Sequence, residues 1–146
     1  MKKLICLLIL IMMVSGCASM GHLDNLRTEN RQNILKLNIG LTKQEALDLM
    51  GNKSATDVYQ SSPVYGSIKL TVNNPYRSEI LQGKDKNFEV IYYYTDVKKT
   101  HRNWWVETPT VQDDELTPLI FDEGKLIGWG WSFLQENIQK YEIRLR

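Results

Sequence analysis

The segment Leu41-Thr42-Lys43-Gln44-Glu45-Ala46-Leu47-Asp48-Leu49-Met50-Gly51 constrains this 146-residue chain more than any other. Thr42 stands at a helix N-cap and Glu45 follows three residues on, giving a T-x-x-E capping box that satisfies two otherwise orphaned backbone donors. Leu41 and Ala46 are placed as a hydrophobic staple, and Gly51 supplies the left-handed stop. Ala46, Leu49 and Met50 share one face. The pattern predicts a short helix over residues 43–50. A helix of that length does not persist alone in water, so it must pack on something.

Its support comes from the residues that follow, where the apolar period changes to two. Ile68, Leu70 and Val72 alternate with Lys69 and Thr71, and Phe88 to Thr95 is rich in β-branched and aromatic residues. Leu119-Ile120-Phe121, the turn Asp122 to Lys125, and Leu126 to Phe133 read as a hairpin. If Leu126 to Phe133 is one strand, Ile127, Trp129, Trp131 and Phe133 face one way and pack beneath the helices. Leu126, Gly128 and Gly130 then face the other way, where another backbone or a ligand has room to approach. Turns fall at Asn73 to Tyr76 and Gly83 to Lys86, and a long connection runs from Asp96 to Glu115. Before the capped helix, Leu23, Leu26, Ile34 and Leu37 keep a helical spacing that the polar stretch Thr28 to Asn33 interrupts, so the pattern is clearest from Asn30. The tail from Gln135 to Arg146 reads as a helix on Ile138, Tyr141 and Leu145, although Tyr141, Ile143 and Leu145 also alternate. These readings give an α+β fold: two N-terminal helices packed on an antiparallel sheet of three to five strands, with a C-terminal helix as the favoured reading of the tail.

The amino terminus carries the clearest address. Met1-Lys2-Lys3 is a basic start, and Leu4 to Val14 is an unbroken apolar run of eleven residues. As a helix the run spans roughly 16 Å, about half of a ~30 Å hydrocarbon core, so it reads as an export signal. Val14-Ser15-Gly16-Cys17 resembles a bacterial lipobox, with Val14 where Leu is usual. The resemblance implies cleavage before Cys17, a triacylated Cys17 and a permanent membrane anchor, since two or more acyl chains hold a protein stably. Ala18 after the cysteine, rather than Asp, implies forwarding to the outer membrane. The expected organisation is a signal peptide over 1–16, a lipidated tether over 17–29 and a single domain over 30–146. Cys6 leaves with the signal and Cys17 is alkylated. No thiol then remains for a disulfide, a metal or catalysis, and the domain must rely on its own core.

A family likeness rests on two of these elements. The run Asn33 to Met50, with Gly40, Thr42, Glu45 and Gly51, and the hairpin Leu119 to Trp129, with Phe121, Gly124, Lys125 and Leu126, resemble the SmpA/OmlA (BamE-like) small lipoproteins. The stretches Asn74 to Glu79, Tyr92 to Asp96 and Glu115 to Trp131 resemble a branch of such lipoproteins without an assigned activity. The likeness implies helices on an antiparallel sheet and a role in outer-membrane protein assembly or envelope maintenance. Its motif residues are caps and stops, so it transfers no substrate.

Chemistry-bearing patterns are sparse. The two histidines, His22 and His101, have no neighbours at metal-ligand spacing, so no metal and no cofactor are expected. Gly66-Ser67 lacks the second glycine of a nucleophile elbow, and Gly128-Trp129-Gly130 lacks the third glycine of a dinucleotide loop. Asp113-Asp114-Glu115 reads as a solvated acidic loop. The whole chain has 18 basic and 17 acidic side chains. Without residues 1–16, which hold Lys2 and Lys3 and no acid, the balance is 16 to 17, or −1, so nucleic acid is not an expected partner. Trp104 and Trp105 are adjacent beside Arg102, His101, Lys98 and Lys99. An extended chain points them opposite ways, so they form either a flap over the sheet or, with one ring exposed, an anchor for a partner or a membrane interface. The expected function is that of a lipid-anchored, non-enzymatic binding or scaffold module with an envelope protein as partner. The alternative is a periplasmic binding or inhibitor protein directed at a soluble enzyme or ligand.

Overall fold

The period-two segments become strands in two antiparallel arrays. A computed structural model describes residues 21–60, 64, 66–84, 86–98 and 110–141. In chain order these form α1 (His22–Ile34), α2 (Lys43–Met50), β1 (Ser54–Gln60), β2 (Ser67–Asn73), β3 (Arg77–Gln82), β4 (Asn87–Tyr94), a 3-10 turn (Asp113–Glu115), β5 (Leu116–Asp122), β6 (Lys125–Trp129) and α3 (Trp131–Lys140). β3-β4-β5-β6 is a four-stranded meander, and β1-β2 is a separate ribbon. The α+β layout expected from the sequence is the one observed. Strands β1 and β3 are additional to those the periodicity indicated.

The sheet is covered on both faces. On one face Phe88, Val90, Tyr92 and Tyr94 of β4 join Leu81, Leu116 and Ile120, under Leu23 and Leu26 of α1, Leu134 of α3 and Val72 of the ribbon. On the other, Ile91 and Tyr93 join Leu119, Phe121 and Leu126 against Ala46 and Met50 of α2 and Leu37. Full burial of each large apolar side chain is worth about 1.5–3 kcal/mol, so β4, feeding both clusters, is the centre of the core.

The capped helix forms as its sequence dictates. The Thr42 hydroxyl accepts from Glu45 N at 3.3 Å, and Thr42 N donates to Glu45 Oε2 at 2.8 Å. The cap also docks on the β5–β6 turn. Lys43 N donates to Gly124 O, Gly40 N to Leu126 O, and Leu126 N to Leu41 O, each at 2.8 Å. In that turn Glu123 and Gly124 have φ of 47° and 76°, the positive pair that a type I′ hairpin requires. The two segments that carry the family likeness therefore lie directly against each other.

Three expectations are corrected. Residues 22–29, assigned to the tether, belong to α1, and the packed domain begins at or before His22 rather than at residue 30. The apolar spacing looked broken because Arg27, Asn30 and Asn33 occupy buried positions on the same helix face. They are tolerated because they are bonded. Asn30 Nδ2 donates to Tyr94 O at 2.6 Å and to Asn74 Oδ1 at 3.0 Å, and Asn74 Nδ2 donates to Asn30 Oδ1 at 2.5 Å. Arg27 Nη1 donates to the Tyr94 hydroxyl at 2.8 Å.

Second, the strand expected to run to Phe133 stops at Trp129. Gly130, at φ 89°, turns the chain into α3, so the helix expected from Gln135 begins at Trp131. Trp131 Nε1 donates to Leu116 O at 2.7 Å. Third, the glycine face, open on the alternative reading to another backbone or a ligand, is approached by Phe133, which the single-strand reading places on the opposite face. A Cβ at Gly128 would sit 2.5 Å from the Phe133 ring. Ile143 and Leu145, which left the tail ambiguous, lie outside the described residues.

Asn30→Ala strands the buried Asn74 amide and one acceptor site of the Tyr94 carbonyl, and should cost roughly 1–3 kcal/mol in urea unfolding. Thr42→Ala should cost about 1 kcal/mol. Hydrogen bonds from the Thr42 hydroxyl and backbone amide hold the Glu45 carboxyl below its usual 4.5. A depressed folded-state pKa contributes stability above that ordinary value, and the contribution is lost as pH falls through the folded value. In Thr42→Ala the Glu45 titration followed by NMR should move up toward 4.5, and the stability gap to the parent should narrow in acid.

Candidate functional site

β4 continues as Thr95 to Lys98, and Thr110 to Gln112 lead through the 3-10 turn into β5; these are the two approaches to residues 99–109. Arg102, Trp104 and Trp105 fall in that segment and lie outside the described residues, as does Cys17. What the structure does show is how the two approaches are joined. Glu115 is 1% exposed. Its carboxylate accepts from Lys98 N on one side and Gln112 N on the other, both at 3.0 Å. Its carbonyl accepts from Thr95 N and Asp96 N, also at 3.0 Å. One buried side chain thus clamps both approaches through their backbones. The acidic run expected to be solvated is therefore split: Asp113 and Asp114 are exposed, and Glu115 is interior because donors from two chain segments converge on it. The exposed pair is engaged too, Asp113 with Arg77 Nη2 at 3.1 Å and Asp114 with Lys98 Nζ.

Beside this clamp opens a groove of about 540 Å³, lined by Arg31, Ile34, Leu35, Thr95, Asp96, Thr117 and Trp129. The end of α1 supplies one wall, and the ends of β4, β5 and β6 supply the floor. The hydroxyls of Thr95 and Thr117 bond each other at 2.7 Å, leaving the floor little polar demand. Arg31 and Asp96 face each other at 3.9 Å on the rim, where an exposed pair contributes at most about 1 kcal/mol. Leu35, 85% exposed, stands at the mouth, and Ile39 and Val97 are exposed in the adjoining loop and strand extension.

Tyr93, the cross-strand neighbour of Thr117, lies on the same sheet face. Its hydroxyl has no hydrogen-bond partner among the described residues, and burial pushes the phenol up to about 12. Tyr93 therefore stays neutral at physiological pH. The groove is suited to burying apolar side chains between a hydroxyl-paired floor and an ionic rim.

The sequence reading placed its partner contact at Arg102, Trp104 and Trp105, which lie outside the described residues, and missed the groove lined in part by Thr95 and Asp96. The missed signal was a pair of large apolar residues, Leu35 and Ile39, just after the end of α1, exposed like their polar neighbours Lys36 and Asn38. Among the described residues no group of three or more His, Cys, Asp or Glu is gathered as a metal site would require. Among them, too, no helix is long and apolar enough to cross a membrane.

A protein-family model described as a protein of unknown function (DUF3192) matches residues 8–136 of the chain. The match starts within the apolar run and takes in Val14 to Cys17. No curated protein and no solved structure matches the chain.

Glu115→Ala leaves the Lys98 and Gln112 amides without their acceptor. Because these are charge-assisted bonds in a buried position, the expected loss is roughly 2–3 kcal/mol in urea unfolding. Hydrogen exchange at Lys98 and Gln112 should accelerate well beyond the global change, and unaltered exchange at both amides would remove the clamp.

Proposed function

The chain belongs to the DUF3192 family, and within that frame we propose that it is a non-enzymatic lipoprotein of the bacterial cell envelope. In this reading Cys17 holds it to the periplasmic face of the outer membrane, and its groove receives an apolar segment of an envelope protein. The observation that carries the reading is the opening sequence. A basic start, an eleven-residue apolar run and Val14-Ser15-Gly16-Cys17 together form an export signal ending on an acylation site. The family match, which extends across that junction, supports it.

The partner half of the proposal draws on the groove. Its apolar lining, with Leu35 exposed at the mouth, offers a protein partner a place to bury one or two large side chains. Trp104, Trp105 and Arg102 belong to the segment whose two approaches Glu115 clamps alongside that groove, and they are proposed as part of the same contact. The likeness to SmpA/OmlA lipoproteins supports a role in outer-membrane protein assembly or maintenance, since both of its motif segments are present and packed together.

Cys17→Ala should abolish palmitate labelling and displace the protein from the membrane fraction. Labelling of that variant at the parental level would refute the anchor. A photoreactive residue replacing Leu35 should crosslink an envelope protein in intact cells, and Trp105→Ala should reduce that crosslink more than it lowers stability. A crosslink only to a soluble periplasmic enzyme would favour the inhibitor reading instead.

A further inference from the structure

The β1–β2 ribbon is held against α1 in a fixed direction. Asp57 of β1 accepts from His22 N at 2.8 Å and Leu23 N at 3.3 Å, taking the place of an N-cap that Gly21 lacks. Lys53, at the start of β1, reaches Glu29, two turns along α1, at 2.5 Å. β1 therefore runs antiparallel to α1. Its last residues, Val58 to Gln60, pass beyond the first turn of the helix, past its amino-terminal end.

Two lengths then agree. The step from Asp57 to Gln60 extends the ribbon about 10 Å past the capped end of α1, before any contribution from its turn. The link from Cys17 to Gly21 is four residues and reaches at most about 14 Å. The far end of the ribbon thus lies no farther past the start of α1 than the link from Cys17 can reach.

The composition of that end suits an interface. From Val58 to Ile68 the sequence carries no charged residue, although 24% of all its residues are charged. Val58 and Val64 are 60% and 82% exposed. The first charge after it is Lys69, exposed and paired in register with Val58. Uncharged, valine-bearing surface bordered by a cation is the pattern that settles at the headgroup boundary, with lysine near the phosphates.

We propose that the distal end of the β1–β2 ribbon, through Val58, Val64 and Lys69, is a second contact with the phospholipid bilayer. This rests on the lipid-anchor reading of Cys17. The acyl chains supply the affinity. The ribbon fixes the orientation, standing α1 away from the surface and turning the groove at its far end, roughly 20 Å along the helix, toward the periplasm.

The test uses the full chain, expressed with its leader and purified from membranes. Acylation occupies Cys17 and cleavage removes Cys6, so Val64→Cys gives the one free thiol, to be labelled with nitrobenzoxadiazole. Val58→Cys provides a second site, and Ile39→Cys, at the opposite end of α1, is the reference. In vesicles of phosphatidylethanolamine and phosphatidylglycerol containing nitroxide lipids, quenching at positions 64 and 58 should be several-fold stronger than at 39. Mass spectrometry of Cys17 reports the anchor separately. A lipidated protein quenched equally at all three positions overturns the ribbon contact and leaves the anchor standing. An unmodified Cys17 overturns the anchor and, with it, the contact that rests on it.

Discussion

Five consecutive residues of β4, Val90 to Tyr94, are buried, so the sheet needs cover on both faces, and the other elements are placed by that need. α2 is too short to stand alone and is pinned by its cap to the β5–β6 turn, which seats Ala46 and Met50 over Ile91 and Tyr93. α3 folds back after Gly130 to cover the opposite face. α1 lies across the end of β4, where Tyr94 is approached by Arg27 and Asn30. An all-apolar helix would have packed there without leaving partners for the Tyr94 carbonyl or the Asn74 side chain. The polar face of α1 is thus a requirement of the place it occupies.

How much of this was legible follows from which forces act locally. The Thr42–Glu45 box and the type I′ turn are decided within a few residues, and both were readable. So were β2, β4 and the β5–β6 hairpin, whose alternation or β-branched and aromatic content is dense. α1 was half-read because a helix face is conventionally traced by apolar residues, whereas Arg27 and Asn30 hold that face by hydrogen bonds to Asn74 and Tyr94, far along the chain, and Asn33 accepts from Lys36 one turn on. The overextended strand at Trp131 and Phe133 failed for a related reason. Large aromatics favour a strand by propensity, yet the positive φ at Gly130 ended it, and the rings were needed against Leu116 and Gly128. Glu115 was unreadable in principle, since a carboxylate in an acidic run looks solvated until the donors from Lys98 and Gln112 are seen to converge on it. The groove was missed likewise, because its residues come from α1, β5, β6 and the continuation of β4 and share no local pattern.

The clamp and the groove share residues. Asp96 lines the groove with its side chain and donates its backbone amide to Glu115, and Thr95 does the same while its hydroxyl closes the floor with Thr117. Any change in how residues 99–109 are held is therefore felt directly at the groove wall. The groove and the two approaches to residues 99–109 are built on one hydrogen-bond junction, which gives a physical reason for the burial of a carboxylate there.

The joint at Gly21 has a mechanical consequence. A Cβ at that position would meet Asp57 Oδ2 at 2.8 Å, so the absence of a side chain is what lets the carboxylate close over the first turn of α1. Tension arriving from the amino terminus does not simply peel the helix, because its first two amides are gripped from β1, and β1 is zipped to β2 along seven residues. The pull is shared out sideways as shear across a two-stranded ladder, the direction in which antiparallel strands resist best. A load entering at Gly21 would leave the first turn of α1 in shape at the joint where it enters.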